Sequence, residues 1–242
     1  MASEFFGEFM GTLILILLGN GVVASVLLKR TKAEGAGWMA ITAGWALGVM
    51  CGVFTAIACG SAGAHLNPAV TLGVAIETGD FSKVGPFVLA QMLGAMAGAT
   101  LVWVHFLPHW EATEDPDLKF ACFATAPAIS RFGANLICEI IGTFVLIFVV
   151  AAIGSKAVAA TGTAPGLGPY LVGMLVWAIG LSLGATTGYA INPARDLGPR
   201  IAHALLPIHK KGGSNWGYAL VPVAGPLVGA ALAAVLVRLV GF

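Results

Sequence analysis

Charge is scarce in this chain. Twelve Lys or Arg and eleven Asp or Glu among 242 residues make it 10% charged, against roughly a quarter in soluble domains. So few charges cannot cover the surface of a water-soluble domain of this length. The net charge of +1 leaves no basic face for nucleic acid. Cysteine is sparse as well. Cys51, Cys59, Cys122 and Cys138 fall at no metal-ligand spacing, and three lie in or beside apolar runs. A buried thiol in such a place acts as a small apolar filler. No metal, cofactor or disulfide is expected. A basic opening is missing too. Glu4 and Glu8 stand where a secretory leader would carry Lys or Arg, and the first apolar stretch is long enough to remain as a span.

What is present is apolar: 58% of residues are hydrophobic and the mean hydropathy is +0.93. The runs are long and unbroken. They point to membrane helices rather than to an outer-membrane barrel, whose strands alternate polar and apolar. Six segments approach the about 20 residues that a crossing needs: 4–28, 38–58, 84–106, 133–154, 168–188 and 216–240. Two others, 67–77 and 192–203, are too short to cross and read as half-helices. The stretch 107–132, with Pro108, Glu111, Asp115, Pro116 and Lys119, reads as an external connecting loop. Lys210-Lys211 reads as a solvated loop face.

The two halves repeat. Glu8-x-x-Gly11-Thr12 returns as Glu139-x-x-Gly142-Thr143, and Gly94-Ala95-x-x-Gly98-Ala99 as Gly225-Pro226-x-x-Gly229-Ala230. The chain therefore divides into a first repeat (1–106), the connecting loop (107–132) and a second repeat (133–242), forming one transmembrane domain over 1–242. Three crossings per repeat turn the second copy upside down, the plan of many transport proteins. Glycines spaced by four, as in Gly94/Gly98 and Gly225/Gly229, let helix backbones approach closely in lipid.

Each half-helix opens on the same string: Asn67-Pro68-Ala69 in GAHLNPAVT and Asn192-Pro193-Ala194 in GYAINPARD. Proline is suited to the first helical position and asparagine to the cap before it. Two such tips facing each other at the membrane midplane would each carry about half a positive charge. They would repel a cation twice and accept a neutral molecule with lone pairs. Arg195 follows the second string directly, and an arginine at membrane depth is a functional candidate by default. Glu8 and Glu139 read as scaffolds for the loops before the half-helices, with a proton relay as the competing role. His65 either lines the passage or holds its loop. Asp196 and Arg200 lie one helical turn apart and are placed to pair, giving Asp196 a structural role.

Through AHLNPAVT at 64–71, GYAINPARDLGPR at 188–200 and the doubled Glu-x-x-Gly-Thr, the chain resembles the aquaporin (major intrinsic protein) family over nearly its whole length. Asp196 after Asn-Pro-Ala-Arg gives it the look of the glycerol-facilitator (aquaglyceroporin) branch. The resemblance implies an all-α membrane protein with six transmembrane helices and two re-entrant half-helices in an inverted repeat. It also implies a pore in each subunit, a homotetramer in the cell membrane and cytoplasmic termini. That orientation sets nine Lys or Arg on the outer side against three inside, contrary to the positive-inside tendency. It matches the selectivity filter to Arg195, Gly180 and Tyr189. For the fourth member, counting back from Asn67 without a gap gives Leu47. Allowing two extra residues in CGSAGAH gives Trp45, whose flanks in GWALGV fit better.

The expected function is a passive channel for glycerol, similar small uncharged polyols and water, closed to ions and protons. A water-selective aquaporin is the nearest alternative. A proton-coupled secondary transporter shares the inverted-repeat plan and would use Glu8 or Glu139 to move protons. An intramembrane enzyme has little support, since no Ser/His, paired-Asp or His-x₃-His set lies on facing spans.

Overall fold

The structure, a computed structural model, describes residues 2–241. The described residues form ten α-helices and two short 3-10 turns. The long helices are α1 (Glu4–Leu27), α2 (Gly37–Ala58), α4 (Val84–His105), α7 (Phe132–Gly154), α8 (Leu167–Ser182) and α10 (Val221–Val240). The half-helices are α3 (Pro68–Thr78) and α9 (Pro193–Leu205), and α5 (Leu107–Ala112) and α6 (Pro116–Ala121) are single short turns of helix. The order long, long, half, long occurs twice. Among the described residues, five helical stretches are long and apolar enough to cross a membrane.

The fifth expected span is the exception. The apolar run 168–188 does not continue as one helix. α8 stops at Ser182, a 3-10 turn covers Gly184–Thr186, and the chain then enters the loop before α9. Sixteen helical residues at roughly 1.5 Å each span about 24 Å, short of a bilayer core of about 30 Å. The last residues that hydropathy assigns to the helix form this turn and the approach to the loop instead.

The connecting stretch 107–132 also departs from a plain loop. Pro108 and Pro116 open α5 and α6 at a helix start, and the Asp115 carboxylate accepts from Asp117 N at 2.8 Å. Trp110, Phe123 and even Lys119 are buried in it. Aromatic anchors fold this segment down onto the helix ends, where α6 touches α1.

Packing follows the small residues. α1 lies against α2 and α4, α7 against α10, and α2 against α8. Gly94 and Gly98 press on the backbone of α1, as Gly225 and Gly229 press on α7. A Cβ at Gly98 would sit 2.6 Å from the Leu13 carbonyl, and one at Gly229 would run into that of Ile140. The half-helices cross over. α3 packs on α10 and α9 packs on α4, so each repeat's short helix is held mainly by the other repeat's last long one. Leu89, Leu93, Leu232 and Leu239 point outward, as a surface bathed in hydrocarbon allows.

Candidate functional site

The two tips meet at the centre. Asn67 and Asn192 cap their half-helices from extended backbone (φ −156° and −154°), with Pro68 and Pro193 at the first helical position. Asn67 Oδ1 accepts from Ala69 N at 2.8 Å. Asn192 Oδ1 accepts from Ala194 N at 3.0 Å and Arg195 N at 3.1 Å. Each amide then reaches across: Asn67 Nδ2 donates to the Ile191 carbonyl, and Asn192 Nδ2 to the Leu66 carbonyl, both at 2.8 Å. An NH₂ group has two donors, so one hydrogen on each asparagine remains for the cavity that both residues line.

The loops leading to the tips are unusual backbone. Ala64, Leu66, Tyr189 and Ile191 all have positive φ, between +36° and +53°, at a cost of about 1–3 kcal/mol each. Two buried carboxylates hold them there. Glu8 accepts from His65 N (2.8 Å), Leu66 N (2.7 Å), Ser61 Oγ (2.7 Å) and Gln91 Nε2 (2.8 Å). Glu139 accepts from Ala190 N (3.0 Å) and Ile191 N (2.9 Å). In a planar trans peptide the N–H and C=O point in opposite directions. Fixing these four N–H groups on glutamates therefore turns the carbonyls of Ala64, His65, Tyr189 and Ala190 the other way. All four residues line the central cavity.

That cavity, of about 160 Å³, is lined by two unlike sets of groups. Leu15, Val49, Val53, Leu146, Val150 and Val176 form an apolar wall, while the carbonyl-bearing loops, Asn67, Asn192 and Arg195 form a polar rail. Trp45, Tyr189 and Arg195 also line it. The Arg195 guanidinium carbon stands 3.9 Å from the centre of the Trp45 ring. Leu47 is 50% exposed on the outside of α2. Gly180 borders Tyr189 rather than open space, since a Cβ there would lie 2.9 Å from Tyr189 Cζ. Among the described residues, the Tyr189 hydroxyl and Arg195 Nη1 are buried with no hydrogen-bond partner. Past Gly63 and His65 a second cavity of about 200 Å³ opens onto Glu4, Asp80 and Lys83. His65 stands between the two, its Nδ1 3.2 Å from Thr71 Oγ1 and its ring edge-on to Phe87.

Asp196 points away from the cavity and is fully buried. It accepts from Thr125 N and Oγ1 (2.7 and 2.6 Å) and pairs with Arg200 at 2.8 Å. Arg200 donates onward to the carbonyls of Ser214, Asn215 and Thr125. The pair thus ties α9 to the segments on either side of it. Lys211 is not a solvated loop residue. Its ammonium donates to the carbonyls of His203, Ala204 and Leu206 and closes the end of α9; burial lowers its pKa from the ordinary lysine value.

Sequence reading missed Gln91, Ser61 and Thr125. Gln91 had a signal, being a lone amide in an apolar span. It also donates to Thr71 Oγ1 at 3.0 Å, linking α4 to α3. Ser61 and Thr125 had none, because their partners are distant in the chain.

Comparison with known proteins gives one consistent result. The family described as Major intrinsic protein matches residues 1–237. A probable glycerol uptake facilitator protein of Thermotoga maritima is 52% identical over 96% of this chain and 97% of its own. The glycerol uptake facilitator protein of Streptococcus pneumoniae strain R6 is 54% identical over 96% and 97%. Among solved structures, the aquaglyceroporin from Plasmodium falciparum superposes with a TM-score of 0.85 at 27% identity, covering 97% of this chain and 94% of that one.

Proposed function

The chain belongs to the major intrinsic protein family, and on that premise we propose that it is a passive membrane channel for glycerol and other small uncharged polyols, with water as co-permeant. It is not an enzyme, and it spans the membrane several times. One observation carries the reading: the cavity combines an apolar wall from the long helices with a polar rail from the two loops and the paired asparagine tips. A polyol has the same two faces, a CH edge and a row of hydroxyls. An unpaired hydroxyl in an apolar setting costs roughly 2–7 kcal/mol, so the polar rail must be close to continuous.

Each group has a part in this account. Arg195 donates to passing oxygens and repels cations, and Trp45 and Tyr189 receive the CH edge, with Gly180 leaving room for Tyr189. Asn67 and Asn192 donate at the midpoint, in the positive field of two helix N-termini. Pro68, Ala69, Pro193 and Ala194 form the first turns that carry this field. A water file oriented oppositely on the two sides of that point does not relay protons. His65 lines the passage below it, while Glu8, Glu139 and Asp196 hold the backbone. Among the described residues lining the central cavity, Arg195 is the one Lys, Arg, Asp or Glu, which favours a channel over a proton-coupled carrier. The functional unit is a homotetramer in the cell membrane with both termini cytoplasmic.

Stopped-flow light scattering on proteoliposomes tests the reading. Glycerol flux should be non-saturating and indifferent to a pH gradient. Saturation with proton coupling would indicate a carrier, and water flux without glycerol flux a water-selective aquaporin.

A further inference from the structure

Tyr189 is not held by its own loop alone. Its ring fills a bay at the end of α8, where Gly180 and Gly184, one turn apart, carry no side chain. A Cβ at Gly180 would lie 2.9 Å from Tyr189 Cζ, and one at Gly184 would run into Cδ1. Trp38, in the first turn of α2, closes the remaining side. Its ring meets that of Tyr189 edge-on, 5.9 Å between centroids at 77°. Its Nε1–H donates to the Gly180 carbonyl at 3.1 Å.

That carbonyl is free for Trp38 because α8 stops early. Leu183 N takes the carbonyl of Ile179 and closes the helix, and the last four carbonyls of a helix have no intrahelical partner. Trp38 therefore joins the cut end of α8, the Tyr189 ring and α2, which carries Trp45 two turns further on. Trp38 does both jobs with one side chain. Phenylalanine keeps the ring edge and loses the donor, and leucine loses both.

We propose that Trp38 is a specificity-determining positioning residue: by pinning the Gly180 carbonyl and the Tyr189 ring it fixes the gap between Tyr189 and Arg195, and with it the largest solute that passes. The inference rests on the reading of Tyr189 and Arg195 as walls of the passage. Trp38 itself is 37% exposed and is not among the residues lining the central cavity, so its effect runs through Tyr189.

The test compares the parent protein with Trp38→Leu and Trp38→Phe in proteoliposomes, measuring permeability to glycerol and to the five-carbon polyol xylitol. The xylitol-to-glycerol ratio should rise about fivefold in Trp38→Leu, the factor that an edge-to-face aromatic contact is worth. In Trp38→Phe, which keeps the ring edge, it should rise about twofold, the low end of what one neutral hydrogen bond is worth. A residue that only helps folding would scale both fluxes with the amount of folded channel and leave the ratio alone. An unchanged or lowered ratio in Trp38→Leu overturns the proposal. Should that variant not fold, the same outcome in Trp38→Phe overturns it. A parent protein that passes no glycerol would instead sink the proposed function.

Discussion

Glutamine at position 139 would differ from glutamate by one atom, yet it could not do the same work. The Glu139 carboxylate offers an oxygen to each of two buried N–H groups, Ala190 and Ile191. An amide offers one oxygen and turns an NH₂ toward the other donor. Glu139→Gln should leave a buried donor unpaired, costing about 1–3 kcal/mol, and relax the positive-φ turn at Ile191. The expected result is a lower unfolding midpoint in detergent and a reduced glycerol flux per folded channel. Gly180 is the second residue with a sharp consequence. Its empty side faces Tyr189 at 2.9 Å, so Gly180→His must drive the phenol into the passage or fill the passage itself. Stopped-flow measurement should find glycerol permeability down by about tenfold or more, the loss that a misfit of one or two methylenes brings, with most of the water permeability kept. The asparagines and the glutamates were legible as single letters because the string around each is short and occurs twice, and Arg195 because it is a charge directly after one of those strings, where the other has Val70. The direction of the carbonyls was not legible. It depends on where two carboxylates sit relative to loops more than fifty residues away.

The half-helices were the most readable elements, since Asn-Pro-Ala carries its own cap and first turn. Their far ends were not. α9 is closed by Lys211 folding back on three carbonyls, and hydropathy shows only a lysine in a loop. The early end of α8 and the helical turns within 107–132 were hidden for the same reason: tertiary partners decide them. Asp196 and Arg200 show what holds α9 in register. They are paired at 2.8 Å and both side chains are fully buried. Asp196→Asn would strand the guanidinium in a buried site, and breaking a buried pair costs about 3–5 kcal/mol. Thermal unfolding in detergent should show a large loss of stability for Asp196→Asn. The double variant Asp196→Asn/Arg200→Met should recover part of it, because the uncompensated charge is gone. Equal damage in both would mean that the contacts of Arg200 to Ser214, Asn215 and Thr125 carry the stability instead.

At the scale of the whole molecule, close backbone approach at glycines sets α4 on α1 and α10 on α7. Gly229→Leu would place side-chain atoms on the Ile140 carbonyl, where even a Cβ does not fit. It should abolish the monodisperse peak in size-exclusion chromatography, whereas Gly85→Ala, with open space around its Cβ, should leave the peak unchanged. The reciprocal bonds between Asn67 and Ile191 and between Asn192 and Leu66 also set an order of events during synthesis. The partner of the Asn67 amide lies 124 residues downstream, and α10, against which α3 rests, comes later still. While the ribosome is still translating the second repeat, the first has no completed tip and no bed for its half-helix. The centre of the passage therefore closes as one of the last acts of assembly, and an unfinished chain in the bilayer is not yet an open hole.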